Sequence, residues 1–198
     1  MYSIGMARVR EFDTDGAVAA AVESFRFQGY EGTSIQDLVE ATGVGRGSLY
    51  TAFGSKEELY LAALNRYGDD QWAALLELLT CGAPVREIVR AILMRIVEDS
   101  AKGCSQQACL LVGAAIERVK SDARVAEKVR AASNAVEDAL TILIDRGQAA
   151  GEVGSARNSR DVARFLVATM QGLRISGEVH PDRRWLTSVV DVAMAALD

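Results

Sequence analysis

Apolar residues recur with helical spacing along almost the whole chain. One such stripe places seven residues on one face of a helix: Val85, Ile88, Val89, Ile92, Leu93, Ile96 and Val97. Similar stripes predict helices near residues 13–28, 56–79, 108–117, 122–150, 160–177 and 182–197. No stretch alternates apolar and polar residues as a strand would. The pattern predicts an all-α protein of about nine helices, three in an N-terminal domain and the rest in a C-terminal bundle.

Two shorter helices are predicted between the first and the fourth. Thr33 and Gln36 have the spacing of a capping box at the start of one helix. Gly43 suits the left-handed cap that ends it. Leu49 and Phe53 then mark the inner face of a second helix, which begins near Arg46. Two helices of about two turns, joined by a glycine-containing turn, form a helix-turn-helix.

A long helix should follow the helix-turn-helix and connect it to the bundle. Ser55 and Glu58 have the spacing of another capping box, and Gly68 is expected to disturb the helix midway. We therefore divide the chain into an arm with the helix-turn-helix domain, residues 1–58, and a C-terminal domain, residues 59–198.

The outward face of the second short helix carries the candidate chemistry. An arginine can read a guanine edge, hydroxyls can hold phosphates, and a glycine permits close approach to DNA. Lys56, at the start of the next helix, adds a cation where free backbone amides already favour a phosphate. The candidate DNA contacts on this face are Arg46, Gly47, Ser48, Tyr50 and Thr51.

The overall charge argues against nucleic-acid binding, whereas its distribution favours it. The chain has a net charge of −5, and residues 1–58 carry five basic and nine acidic side chains. However, residues 41–56 contain no acid at all. Arg8 and Arg10 lie in an N-terminal arm, over residues 1–11, that either reaches a minor groove or is an unstructured tail.

The string GYEGTSIQDLVEATGVGRGSLYTAFGSKEEL closely resembles the DNA-binding signature of the tetracycline-repressor (TetR) family of bacterial transcription regulators. The resemblance is strong over residues 12–65 and weak beyond them. It implies a homodimer that binds a double-stranded operator under the control of a small-molecule effector. It also implies that residues 1–58 are the DNA-binding domain and residues 59–198 the ligand-binding and dimerisation domain. By position, the implied DNA contacts are Thr33, Arg46, Ser48, Tyr50 and Lys56.

This string departs from the family pattern at two positions. Gly45 stands where a capping serine is usual, so the recognition helix lacks a side-chain cap. Ala52 stands where a polar residue is common, so we expect it to contribute little to base reading.

Large, adaptable side chains on the later helices are candidates for an effector pocket, although such residues also fill cores. Cys104 and Cys109 allow a redox or electrophile sensor as an alternative, or a helical thiol peroxidase, while Cys109 can equally be a small core hydrophobe. The candidate pocket residues are Tyr67, Trp72, Met94, Cys109, Phe165 and Met170.

The helices near 122–150 and 160–177 have more small and apolar positions than one buried stripe requires. Two such helices from each subunit can form a four-helix bundle. We therefore expect the dimer interface there, at Ala131, Ala132, Ala135, Ala139, Val167, Ala168, Gln171 and Gly172.

Several other function classes are disfavoured by the composition. No apolar run approaches the eighteen or so residues of a membrane span, and residues 1–13 lack the apolar core of a signal peptide. The single histidine, His180, precedes Pro181 in a predicted loop, away from any cysteine. We expect a cytoplasmic non-enzyme without a membrane, metal or cofactor.

Overall fold

The computed structural model describes residues 13–101 and 109–198, and the predicted arm and Cys104 lie outside these ranges. The described residues form nine helices and a final 3-10 turn, Ala195–Leu197, and none of them lies in a strand. The helices are α1 (Thr14–Gly32), α2 (Ile35–Thr42), α3 (Arg46–Phe53), α4 (Lys56–Thr80), α5 (Val85–Ala101), α6 (Leu110–Glu117), α7 (Ala123–Ala149), α8 (Ser159–Val179) and α9 (Arg183–Met194). The predicted all-α fold is confirmed.

Polar side chains at the helix starts explain many of these boundaries. A side-chain oxygen one position before a helix can accept a backbone N–H that has no partner within the helix. Residues that do this precede α1, α2, α4, α7, α8 and α9: Asp13, Ser34, Ser55, Asp122, Asn158 and Asp182.

The capping box of α2 lies one residue later than predicted. Ser34 accepts from the Asp37 amide at 3.2 Å, and Asp37 accepts from the Ser34 amide at 2.7 Å. The Ser34 side chain first, and its backbone N–H second, favour the charged Asp37 carboxylate and so lower the pKa of Asp37. At α4 only half of the predicted box forms: Ser55 accepts from the Glu58 amide, while the Glu58 carboxylate contacts Arg124 of α7.

Gly68 and Gly29 lie inside helices, and Gly68 does not behave as predicted. Gly68 does not interrupt α4, which continues from Lys56 to Thr80. A glycine inside a helix costs about 1 kcal/mol, and the buried neighbours Leu64 and Tyr67 hold the helix against the core. Gly29 does break α1, with φ 72° and ψ 176°, but the chain turns helical again as far as Gly32.

The apolar side chains form two core clusters. The first joins α5, α7, α8 and α9 and includes all seven apolar positions predicted for the buried face of α5. The second joins α1, α2 and α3 to the first half of α4, and it also contains Leu110 and Ala114 of α6 and Val125 of α7. The domain boundary predicted after residue 58 lies within α4 and stays a prediction.

None of the helices over residues 13–101 and 109–198 has both the length and the apolar character needed to cross a bilayer.

Candidate nucleic-acid interface and cavities

The turn between α2 and α3 depends on glycine. Gly43 has φ 66°, in the left-handed region, and its N–H donates to the Val39 carbonyl at 3.0 Å. The predicted glycine cap of α2 is therefore confirmed. Gly45 precedes α3 without a side-chain cap, as expected.

The two faces of α3 separate as the sequence predicted. Leu49 is buried against the N-terminal core, and Phe53 packs at its edge. The outward residues Arg46, Gly47, Ser48, Tyr50 and Thr51 are all exposed.

Local contacts shape the exposed face of α3. The guanidinium of Arg46 lies 5.8 Å from the centre of the Tyr50 ring. The Thr51 hydroxyl donates to the Gly47 carbonyl at 2.8 Å, which leaves its oxygen lone pairs able to accept. The face thus offers a guanidinium, two hydroxyls and a phenol to a partner.

Thr33 does not belong to this exposed face. Its side chain is fully buried, and its hydroxyl donates to the Gly29 carbonyl at 2.6 Å. A hydroxyl that is buried and already bonded cannot reach a phosphate. The proposed side-chain contact from Thr33 to DNA is therefore wrong, and the residue instead ties the start of α2 to the kink in α1.

Lys56 lies at the start of α4 and is half-buried. Its ammonium nitrogen is 4.2 Å from the centre of the Tyr30 ring, within the range of a cation–π interaction. The Tyr30 hydroxyl donates to Glu57 at 2.8 Å. Burial, followed by the bond to Glu57, raises the pKa of Tyr30 to about 12.

The end of α6 joins the N-terminal helices to the rest of the chain. The Glu117 carboxylate accepts from the backbone amides of Tyr30 at 2.8 Å and Glu31 at 3.2 Å, immediately after the Gly29 kink. Arg118 lies 4.2 Å from the Tyr30 ring centre and forms an ion pair with Glu31 at 3.3 Å. Sequence analysis missed both residues, because nothing local links positions 117 and 30.

A cavity of about 790 Å³ opens between α4, α6, α7 and α8. Its walls are mostly apolar, and this volume suits a small organic molecule. Three of the predicted pocket residues line it: Trp72, Cys109 and Met170.

A second cavity, of about 330 Å³, lies between α1, α4, α5 and α8. It is lined by Tyr67, Cys109 and Met170 from the predicted set, together with charged side chains on three of the helices. Burial raises the pKa of Glu178 at its wall, and the nearby Arg26 opposes this shift.

The structure separates Met94 and Phe165 from both cavities. Met94 is half-buried and packs against the C-terminal core, so it contributes to core packing. Phe165 is 44% exposed on α8 and lines neither cavity. For these two cavities the predicted role of both residues is wrong, because periodicity identifies the face of a helix but not the element that packs on it.

Arg174, on α8, was missed by sequence analysis although it lines both cavities. A signal for it was present: it lies four residues after Met170, on the apolar side of its helix.

Of the eight residues predicted for a dimer interface, five line the larger cavity, two are exposed on α8, and Ala139 is half-buried outside both cavities. Ala131, Ala132, Ala135, Val167 and Gln171 line the larger cavity. Ala168 and Gly172 are exposed on α8 instead. Large apolar side chains are exposed on the same two helices: Ile142 at 70%, Phe165 at 44% and Ile175 at 49%.

Two family descriptions match the chain, one in each part. Residues 17–63 match "Bacterial regulatory proteins, tetR family", and residues 85–193 match "Tetracyclin repressor-like, C-terminal domain". The first match covers the helix-turn-helix and the start of α4, and the second covers most of α5 to α9.

Known relatives extend this likeness over the whole chain. The uncharacterized HTH-type transcriptional regulator YezE of Bacillus subtilis is 34% identical over 98% of this chain and 100% of its own length. The HTH-type transcriptional repressor ComR of Escherichia coli is 31% identical over 85% of this chain and 81% of its own.

A solved structure has the same fold and contains DNA. It is a cysteine mutant of the TetR family regulator CifR, complexed with 26bp double-strand operator DNA. It is 29% identical, has a TM-score of 0.85, and the match covers 96% of this chain and 100% of that chain. The protein described here belongs to the TetR family of bacterial transcription regulators.

Proposed function

We propose that the protein is a ligand-controlled transcriptional repressor that binds a palindromic operator as a homodimer. The observation that carries the proposal is the exposed face of α3, with Arg46 and Tyr50 on it, within a stretch from residue 41 to 56 that has no acidic side chain. The similar CifR mutant is complexed with operator DNA, and the similar ComR is a repressor.

Other groups hold the two acids that directly follow Lys56 in the sequence. Glu57 accepts from the Tyr30 hydroxyl at 2.8 Å, and Glu58 contacts Arg124 of α7. Arg124 thus partly balances the charge of Glu58, which reduces the repulsion between Glu58 and a phosphate near Lys56. The net charge of −5 still predicts weak binding to non-specific DNA.

Exposed apolar surface on α7 and α8 supports the homodimer. Ile142 and Phe165 would stay in water in a monomer, whereas exposed Ala168 and Gly172 permit two helices to approach closely. Removing apolar area from water contributes about 25 cal/mol per Å². Two identical subunits related by a twofold axis then read inverted half-sites, so the operator is palindromic.

Two connections lead from the larger cavity to the DNA-binding helices. On α4, Lys56 and the cavity-lining Gly68 are about 18 Å apart along one unbroken helix. On α6, Val112 and Ile116 line the cavity, and the next residue, Glu117, holds the Tyr30 amide. A ligand that moves either helix changes the position of α3.

Control by such a movement is physically sufficient. Half-sites one helical turn apart require the two recognition helices to be about 34 Å apart. A shift of a few ångströms prevents both from docking at once.

The test is selection of DNA fragments by the purified protein, followed by footprinting and affinity measurements. Arg46→Ala should weaken operator binding by about 1–3 kcal/mol and relax the preference at one base pair. Tyr50→Ala and Lys56→Ala should weaken binding to all sequences alike and reduce its salt dependence.

Arg130→Ala is the matched control, because Arg130 is exposed on α7 and lies outside both cavities. It should leave operator affinity unchanged. Unaltered affinity in all three α3 and α4 variants would show that DNA is not bound by this face.

A redox or electrophile sensor is the alternative, and the comparisons do not favour it. Cys109 is half-buried at the start of α6, and burial, followed by the neighbouring Cys109 thiol, raises the pKa of Tyr67. Cys104 lies outside the described residues, so a pairing of the two stays a prediction. The matched relatives are transcription regulators, which also disfavours a thiol peroxidase.

A further inference from the structure

The larger cavity is apolar over most of its wall but not over all of it. Trp72, Val112, Ile116 and Val136 are among its apolar lining residues. Its volume of about 790 Å³ lies in the upper part of the usual range for organic ligands. A molecule that fills it must therefore present a large apolar body.

One wall of this cavity contains a cation without an acidic partner. Arg174 is half-buried on α8, and its Nη1 atom donates to the Gln171 side chain at 3.3 Å. Among residues 13–101 and 109–198 it forms no ion pair with a carboxylate. A guanidinium taken partly out of water is stabilised when an anion replaces the lost hydration.

The other charges around the cavity favour the same sign of ligand. Lys128 lines the wall from α7, and its ammonium group donates to the Asn65 amide oxygen at 2.6 Å. Asp69, which is exposed, is the one acidic residue among the described residues of the lining. The lining of the larger cavity thus carries two cations and one exposed acid.

We propose that the larger cavity binds an amphipathic organic anion, with its carboxylate or similar acidic group on Arg174 and its apolar body along Trp72 and Ile116. That this anion acts as an effector rests on the proposed function, to which the inference adds the chemical class of the effector. A bidentate contact is available, because the planar guanidinium can donate two parallel N–H bonds to one carboxylate.

Arg174 also separates this ligand class from two others. A neutral molecule of the same shape buries the guanidinium without pairing it, which costs free energy. An organic cation meets Arg174 and Lys128 as like charges, and the repulsion is stronger where water is excluded. The acidic group is therefore what selects the ligand.

The experiment uses decanoate, decanol and decylammonium as probes, because they share one apolar chain and differ in the head group. Binding is followed by the fluorescence of Trp72 in a Trp185→Phe background, since the sequence has two tryptophans. Trp185 is suitable for removal because it is exposed on α9, with its ring centre 5.4 Å from that of His180, and lies outside both cavities. Decanoate should bind at least about tenfold more tightly than decanol, and decylammonium should bind most weakly.

Arg174→Gln should abolish the preference for decanoate over decanol, while Arg174→Lys should retain part of it. Thermal unfolding of each variant establishes that it is folded. Arg130→Gln, on the exposed side of α7, should behave as wild type. Equal binding of decanoate and decanol to the wild type, or a preference that survives Arg174→Gln, would overturn the inference.

Operator binding, measured with and without decanoate, separates this inference from the proposed function. Loss of the operator complex on addition of decanoate, absent in Arg174→Gln, supports both. Arg174-dependent decanoate binding that leaves the operator complex unchanged supports the ligand class and contradicts control through this cavity. Failure of the wild type to bind any DNA contradicts the proposed function alone.

Discussion

The kink at Gly29 offers a direct test of how α6 is connected to the DNA-binding helices. Gly29 has φ 72° and ψ 176°, a conformation that only glycine adopts readily. A side-chain methyl placed there would also overlap the carboxylate of Glu117. Gly29→Ala therefore forces the backbone, the Glu117 side chain or both to move.

The magnitude follows from these two costs. Forcing alanine into this region costs about 1–3 kcal/mol. Displacing Glu117 also removes two hydrogen bonds to a charged acceptor, from the amides of Tyr30 and Glu31, each contributing about 1.5–3 kcal/mol. Because the glutamate is flexible and the Glu31 amide is exposed, water can bond to the freed groups, which offsets part of the lost free energy. We expect the free energy of unfolding to fall by about 2–5 kcal/mol.

Urea denaturation followed by circular dichroism measures the change. Gly32→Ala is the matched control: Gly32 has an ordinary helical φ, and an added methyl meets only the Gln28 side chain at 3.5 Å. It should change stability by less than about 1 kcal/mol. Adding Glu117→Ala to Gly29→Ala should cost little more, because the alanine at position 29 has already displaced Glu117.

A loss below about 0.5 kcal/mol in Gly29→Ala would contradict this reasoning. So would fully additive effects of the two substitutions, since they would mean that Glu117 keeps its contacts beside Ala at position 29.

Three further predictions concern burial, association and pH. Thr33→Val should lower the free energy of unfolding by about 1–2 kcal/mol, because it removes the hydroxyl that donates to the Gly29 carbonyl. The folded variant should still bind the operator with wild-type affinity in a gel-shift assay. Ala168→Asp should give monomers by analytical ultracentrifugation, because it places a charge on the proposed dimer face, whereas a variant that stays dimeric would place the interface elsewhere. The pKa of Tyr30 in the folded protein, about 12, exceeds its ordinary value of 10.0. The contribution of Tyr30 to the free energy of unfolding is therefore complete below about pH 10 and declines as the pH rises towards 12. Denaturation between pH 9 and about 11.5 should show a smaller loss of stability at high pH in Tyr30→Phe than in wild type.

The sequence by itself determined the features that depend on neighbouring positions. Three- and four-residue spacing identified the helices, and all seven apolar positions predicted on α5 are buried. The sequence predicts Gly43 as the cap of α2, and the φ of 66° found there is one that few other residues accept. The outward face of α3 followed from Leu49 and Phe53, since fixing the inner face of a short helix also fixes the outer one.

Contacts between distant positions were decided only by the tertiary structure. The sequence predicts Thr33 as a DNA contact on the surface, but packing of α2 against the kinked α1 buries it completely. Phe165 and Met170 share one helix, yet only Met170 faces a cavity. The Glu117 carboxylate accepts from the Tyr30 amide, which is 87 positions away in the sequence. Arg174 lines both cavities only because other helices pack around α8. Such contacts arise from helix packing, which local propensity and periodicity do not specify.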